Sequence, residues 1–292
     1  MKQISYIELG GTLFTPASNK AIATILHHRK YPTLKSIVID FEDGLNQQYY
    51  DKAFQYLQQL LQTYTPNKLL VFIRPNSYKS LQELLSITDI KKIDGFILPK
   101  FSLNNAHKYI DILKYENFYV MPSIEGEELF DTTKLQTLRS ILLPYKNKIL
   151  SIRVGCEDML RQLSLFRQQN ESIFDRNITA NLFSDVIKTF KPYGFNISGC
   201  VYKYFKDEDG FLQDVQKDLN EGLFSKTIIH PNQIEPINEL YKVTKDELQN
   251  AKTILSTQET VFNLNGAMGE KSTQTPFAEF ILKRAEIYGI KD

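Results

Sequence analysis

Short apolar runs rich in Val and Ile, each ending in a polar or charged residue beside Gly or Pro, recur along this chain and constrain its fold more than any other feature. Ile37-Val-Ile-Asp-Phe-Glu-Asp43, Leu69-Leu-Val-Phe-Ile-Arg-Pro75, Gly95-Phe-Ile-Leu-Pro-Lys100, Tyr119-Val-Met-Pro-Ser-Ile-Glu-Gly126, Ile149-Leu-Ser-Ile-Arg-Val-Gly-Cys-Glu-Asp158 and Thr227-Ile-Ile-His-Pro231 share this form. Continuous apolar runs bounded by breakers read as parallel strands buried on both faces. Reactive residues at their carboxyl ends are where an α/β barrel carries its chemistry.

Gly11-Thr-Leu-Phe-Thr-Pro16 and Phe195-Asn-Ile-Ser-Gly-Cys-Val-Tyr202 bring the number of expected strands to eight. Between them lie segments of helical period, such as 50–64 with Phe54, Leu57, Leu60 and Leu61 on one face. Eight such units in about 230 residues fit a (β/α)₈ TIM barrel of α/β class. No glycine-rich nucleotide loop follows any strand, which disfavours a doubly wound open sheet. The barrel is expected over residues 1–240, with a C-terminal helical extension over 241–292 acting as a cap, lid or oligomer contact. Within that extension, 263–271 reads as a loop and 276–288 as the last helix.

A chain of 292 residues with 42% hydrophobic and 24% charged residues is that of a globular protein. Its net charge of +1 provides no broad field for nucleic acid or an anionic membrane, and no long apolar segment is present. The expected location is therefore cytoplasmic, and the expected ligand a small molecule. Cys156 and Cys200 are far apart in sequence, so no disulfide is expected and Cys156 reads as a small buried residue.

Glu125 and Asp158 end the fifth and sixth expected strands, where their carboxylates could hold Mg²⁺, or Mn²⁺ in its place, or else cap the following helices. Glu157 competes with Asp158, because adjacent strand positions point oppositely. Arg74 suits a bidentate grip on a substrate carboxylate, against the alternative of a surface arginine. Of Asp40, Glu42 and Asp43, one acid could accept a proton while another caps a helix. Lys100 adds positive charge at the rim or is simply exposed. His230 either moves a proton or holds the last loop. His27 and His28 read as solvent-facing, and the charged loop from Lys203 to Asp209 as a solvated face.

The ordered set resembles the citrate lyase beta-subunit-like (CitE-like) branch of the HpcH/HpaI aldolase superfamily, as a divergent member. The resemblance rests on Leu13-Phe-Thr-Pro-Ala-Ser18, Ile39-Asp-Phe-Glu-Asp43, Arg74-Pro-Asn, Asp94-Gly-Phe-Ile-Leu-Pro-Lys100, Ile124-Glu125, Gly155-Cys-Glu-Asp158 and Ile229-His-Pro-Asn-Gln-Ile234. It implies a Mg²⁺-dependent carbon–carbon lyase or aldolase acting on a hydroxy acid or its CoA thioester, in a homo-oligomer. Glu125 and Asp158 would be the metal ligands, Arg74, Lys100 and Glu125 would contact substrate, and Asp40 or Asp43 would be the base. Gly126-Glu-Glu-Leu replaces the family's Thr-x-x-Gly after the first acid, Ser198-Gly199 stands where Asp-Gly is common, and 266–271 departs from the usual C-terminal segment. The altered loops after Glu125 and Met268 motivate a second expectation, a binding or regulatory protein on the same barrel; a third, a phosphoenolpyruvate-type enolate enzyme, follows because barrels of this kind handle enolates.

Overall fold

The computed structural model describes residues 2–27 and 29–291, so His28 lies outside the described residues; His27 is exposed, as expected. The chain divides into two compact units, Met1–Ile234 and Glu235–Asp292.

In the first unit, parallel strands alternate with helices: β1 (Gly10–Pro16), α1 (Ile22–Leu26), β2 (Ser36–Asp40), α2 (Tyr50–Thr63), β3 (Leu70–Arg74), α3 (Tyr78–Leu85), β4 (Gly95–Leu98), α4 (Ala106–Leu113), β5 (Tyr119–Ile124), α5 (Thr132–Leu142), β6 (Arg153–Val154), α6 (Cys156–Gln162), α7 (Asn177–Phe190), α8 (Glu208–Asn220) and β7 (Ser225–Ile228). The sheet order is β6-β5-β4-β3-β2-β1-β7, with every neighbouring pair parallel. Every residue of β2, β4 and β5 is buried, which explains why these strands read as unbroken apolar runs instead of alternating ones.

The run at 195–202 forms no continuous strand. It bridges β6 and β7 through two isolated pairings, Ile152 with Ile197 and Gly199 with Lys226, and so completes the ring of a TIM barrel. Small polar residues replace an apolar strand here. The Ser151 and Ser198 hydroxyls lie 2.8 Å apart, and Ser198 Oγ donates to Ser225 Oγ at 3.3 Å. Backbone bonds from Ser198 N to Ile152 O (3.0 Å) and Gly199 N to Ser225 O (2.7 Å) complete the junction. Beside it, Lys226 is fully buried and pairs with Asp214 at 2.7 Å and Asp218 at 2.6 Å, while Arg167 also pairs with Asp214. Burial and Asp214 raise the Asp218 pKa against the pull of Lys226.

The second unit holds α10 (Lys245–Ser256), the antiparallel hairpin of β8 (Val261–Leu264) and β9 (Ala267–Glu270), and α11 (Lys271–Tyr288); α9 (Ile234–Tyr241) begins at the boundary between the units. Ala251, Ile254, Phe262, Ala278 and Ile281 form its small core. The loop expected at 263–271 is in fact mostly the hairpin and the start of α11. Its turn is Asn265-Gly266, with φ of 52° and 85°, the combination that two-residue turns between twisted strands favour. Among the described residues, no helix is long and apolar enough to cross a membrane.

Candidate active site

At the carboxyl ends of the strands lies a cavity of about 410 Å³, lined by residues that include Phe14, Asp40, Asp43, Arg74, Ser123, Glu125, Arg153, Glu157, Asp158 and Thr227. Asp40, Asp43, Arg74, Glu125 and Asp158, five of the six residues expected to form the site, are among them.

Strand register builds the first half of the site. Asp40 and Arg74 are direct partners at the ends of β2 and β3. Their side chains make a fork, with Arg74 Nε donating to Asp40 Oδ1 at 2.6 Å and Nη2 to Oδ2 at 2.7 Å. Asp40 also accepts the backbone N–H groups of Glu42 (3.1 Å) and Gly44 (2.9 Å), so its oxygens are committed to positioning. Arg74 Nη1 reaches Glu42 at 2.8 Å and Asp43 at 3.3 Å, leaving Asp43 with the longest of these contacts and a side chain 60% exposed. Burial lowers the Arg74 pKa, but the surrounding acids more than reverse this and hold it above its ordinary value. Lys100 is not among the cavity-lining residues. It contacts Glu42 at 2.5 Å and lies 3.9 Å from Asp43, tying the rim together.

Glu125 follows β5 and is 5% exposed. Its Oε2 is buried with no hydrogen-bond partner, and burial pushes its pKa up to about 7 despite the Ser123 hydroxyl. Gly155 makes this placement feasible, since a Cβ there would come within 2.4 Å of Glu125 Cγ. Asp158 lies in the first turn of α6 and bonds Arg161 at 2.6 Å.

Glu157 and Asp158 both line the cavity, contrary to the expectation that only one could face it. The segment is already helical at Cys156, so adjacent side chains diverge by about 100° and not by the 180° of a strand. Glu157 binds Lys203 at 2.9 Å, so Lys203 is partnered and not merely solvated. The cysteine expectation is also corrected: Cys156 and Cys200 form a disulfide, because the barrel brings residues 44 apart in sequence to a Cα separation of 5.9 Å. Cys156 is nevertheless buried, at 2% exposure. His230 caps the turn after β7, its Nδ1 accepting from Asn232 N at 3.2 Å, and its ring stacks on Phe205 at 4.3 Å.

The donor set fits a divalent cation. Two carboxylates on one cavity, one with an unpartnered buried oxygen, suit Mg²⁺, which takes one or two protein carboxylates and completes its shell with water and substrate oxygens. Among the described residues there is no group of three or more His, Cys, Asp or Glu that would suit a cation held by protein alone.

One residue of the cavity was not singled out from the sequence. Arg153 sits in β6 opposite Ser123 and is 3% exposed. Its signal was a charge inside the apolar run 149–154. The guanidinium carbons of Arg74 and Arg153 lie 5.1 and 5.2 Å from the centre of the same Phe14 ring.

The C–C bond lyase family model of the TIM-barrel fold matches residues 3–290. The chain is 24% identical to the citrate lyase subunit beta of Escherichia coli K12, across 96% of this chain and 94% of that protein. A citrate lyase structure from Burkholderia xenovorans superposes with a TM-score of 0.74 at 17% identity, covering 97% of this chain and 93% of that one. CitE of Mycobacterium tuberculosis, in complex with magnesium, acetoacetate and coenzyme A, superposes with a TM-score of 0.69 at 18% identity, covering 95% and 98%. With strand-end acids and arginines gathered on one cavity and the family model spanning nearly its full length, this chain belongs to the C–C bond lyase family of the TIM-barrel fold.

Proposed function

We propose that this protein is a Mg²⁺-dependent carbon–carbon lyase acting on a hydroxy acid or its CoA thioester. The observation that carries this reading is the meeting of Glu125 and Asp158 on one strand-end cavity, with a Glu125 oxygen left unpartnered. Glu125 and Asp158 would hold the cation, with Glu125 also bordering the bound substrate. The ion, when bound, supplies positive charge against substrate oxygens as the bond between carbons breaks.

Arg74 holds the substrate carboxylate. Asp40 fixes the plane of its guanidinium, and the long, exposed contact to Asp43 is the one an incoming carboxylate replaces. Asp43, freed from that contact, is the preferred base over Asp40, whose oxygens already accept four hydrogen bonds. It takes the hydroxyl proton while the oxygen's electron pair forms the new carbonyl. The pair of the breaking carbon–carbon bond passes to the departing carbon, which receives a proton in turn. Lys100, held by Glu42, adds positive charge at the rim.

Mg²⁺ titration of the wild type, Glu125→Ala and Asp158→Ala, each with a hydroxy acid present, tests the assignment. Wild-type Mg²⁺ affinity in both variants would sink it.

A further inference from the structure

Among the described residues, the buried cations have anionic partners, with one exception. Arg167 pairs with Asp214, Lys226 with Asp214 and Asp218, and Arg284 lies 3.8 Å from Glu247. Arg153 has no carboxylate within ion-pair distance among the described residues. Its guanidinium donates to Thr227 Oγ1 at 2.6 Å and makes a loose contact with Met121 Sδ at 3.6 Å. A guanidinium carries five N–H donors, and burying one without an anion is costly. Burial, and to a lesser extent repulsion from Arg74, lowers the Arg153 pKa to about 10, so the group remains charged at neutral pH.

This cation lines the same cavity as Glu125 and Asp158. It lies deeper than they do: Arg153 is paired in register with Ser123, two residues before Glu125. The opposing wall is the Phe14 ring, which Arg153 shares with Arg74. Arg74 is already covered by three acids, so the cavity offers one satisfied guanidinium near the mouth and one unsatisfied guanidinium beneath it.

We propose that Arg153 binds a second carboxylate of the substrate, so that the cavity selects hydroxy acids with a carboxylate at each end over those with only one. This inference rests on the lyase reading for the placement of the first carboxylate and the hydroxyl. Thr227 then acts as a positioning residue, holding one edge of the guanidinium so that its free N–H groups face the ligand.

The test compares the binding of malate with that of 2-hydroxybutyrate, which has the same four carbons with a methyl group in place of the distal carboxylate. Both are titrated calorimetrically into the full-length protein with Mg²⁺. The wild type is expected to prefer malate by about tenfold or more, the scale of a buried charge-assisted contact. Arg153→Met should abolish this preference while leaving 2-hydroxybutyrate affinity within about twofold, and Arg153→Lys should restore part of it. Thr227→Val, which keeps the shape and the charge, should weaken the preference if Arg153→Met does not fold. A wild type that binds both acids equally, or an Arg153→Met or Thr227→Val protein that discriminates like wild type, overturns the inference. Omitting Mg²⁺ separates the two proposals: binding indifferent to the ion counts against the lyase reading, whereas lost discrimination between the acids concerns Arg153 alone.

Discussion

Lys226→Met tests what closes the barrel at its weakest junction. The substitution nearly preserves side-chain volume, so little cavity is created, but it removes ion pairs of 2.7 Å to Asp214 and 2.6 Å to Asp218. Asp214 retains Arg167, whereas Asp218 loses its direct cation partner. Breaking a buried pair from one side typically costs about 3–5 kcal/mol, the expected loss at pH 8. The sign of the pH dependence follows from the Asp218 pKa, already raised by burial. When the folded pKa lies above the unfolded one, the unfolded chain ionises first, and stability falls as pH rises between the two values. Without Lys226 the folded pKa rises further, so the gap between wild type and variant opens as pH increases, by about 1.4 kcal/mol for each unit of added shift. Urea denaturation at pH 5 and pH 8 measures that gap. Lys226→Met combined with Asp218→Asn should remove its pH dependence. A Lys226→Met penalty equal at both pH values, or below about 1 kcal/mol at pH 8, would refute the charge account.

Glu125→Gln should flatten another pH dependence: wild type in the presence of chelator loses up to about 3 kcal/mol as pH rises from 4.5 to about 7, because folded Glu125 keeps its proton longer than the unfolded chain does. The same urea titrations on the two proteins check this, and equal slopes would contradict it. Gly155→Ala places a methyl group 2.4 Å from Glu125 Cγ and should lower Mg²⁺ affinity by about tenfold or more, measured by calorimetry. Asp40→Asn removes the anionic half of the Arg74 fork; it should cost about 2 kcal/mol in urea denaturation and raise KM for the carboxylate substrate more than it lowers kcat.

How legible the fold was depended on where burial is two-sided. β2, β4 and β5 are wholly buried, so their sequences carry an unbroken apolar signal that places their ends, and with them Asp40 and Glu125, correctly. The junction at 195–202 was visible as a run but not as two isolated bridges, because its cohesion comes from serine hydroxyls and a buried ion cluster assembled from distant segments. The same limit hid the Cys156–Cys200 bond. The Asn265-Gly266 dipeptide is a strong two-residue hairpin signal, yet 263–271 read as a loop, because the short, partly exposed strands flanking it have little apolar alternation to mark them. Arg153 was passed over in the sequence although it carried a signal, a charge inside a two-sided buried run that must meet something polar.

Most charges around the cavity sit in ion-paired groups, and the two that do not say how ligands should cooperate. Asp40, Glu42 and Asp43 are answered by Arg74 and Lys100, Glu157 by Lys203, and Asp158 by Arg161. Among the described residues, Glu125 and Arg153 have no ion pair, one of each sign. Their offset of two residues across the β5–β6 register, about 7 Å along the strands, keeps them from answering one another. A cation that settles Glu125 and an anion that settles Arg153 each reduce the cost the other faces, and a hydroxy acid with two carboxylates can bridge both. Mg²⁺ and malate should therefore bind with positive coupling, and linkage requires the coupling to be the same whichever is added first. Arg153→Met should reduce the coupling for malate to that seen with 2-hydroxybutyrate. Calorimetric titration of Mg²⁺ at zero and saturating malate, in wild type and variant, measures it; equal coupling in the two proteins would show that Glu125 and Arg153 do not act on one ligand.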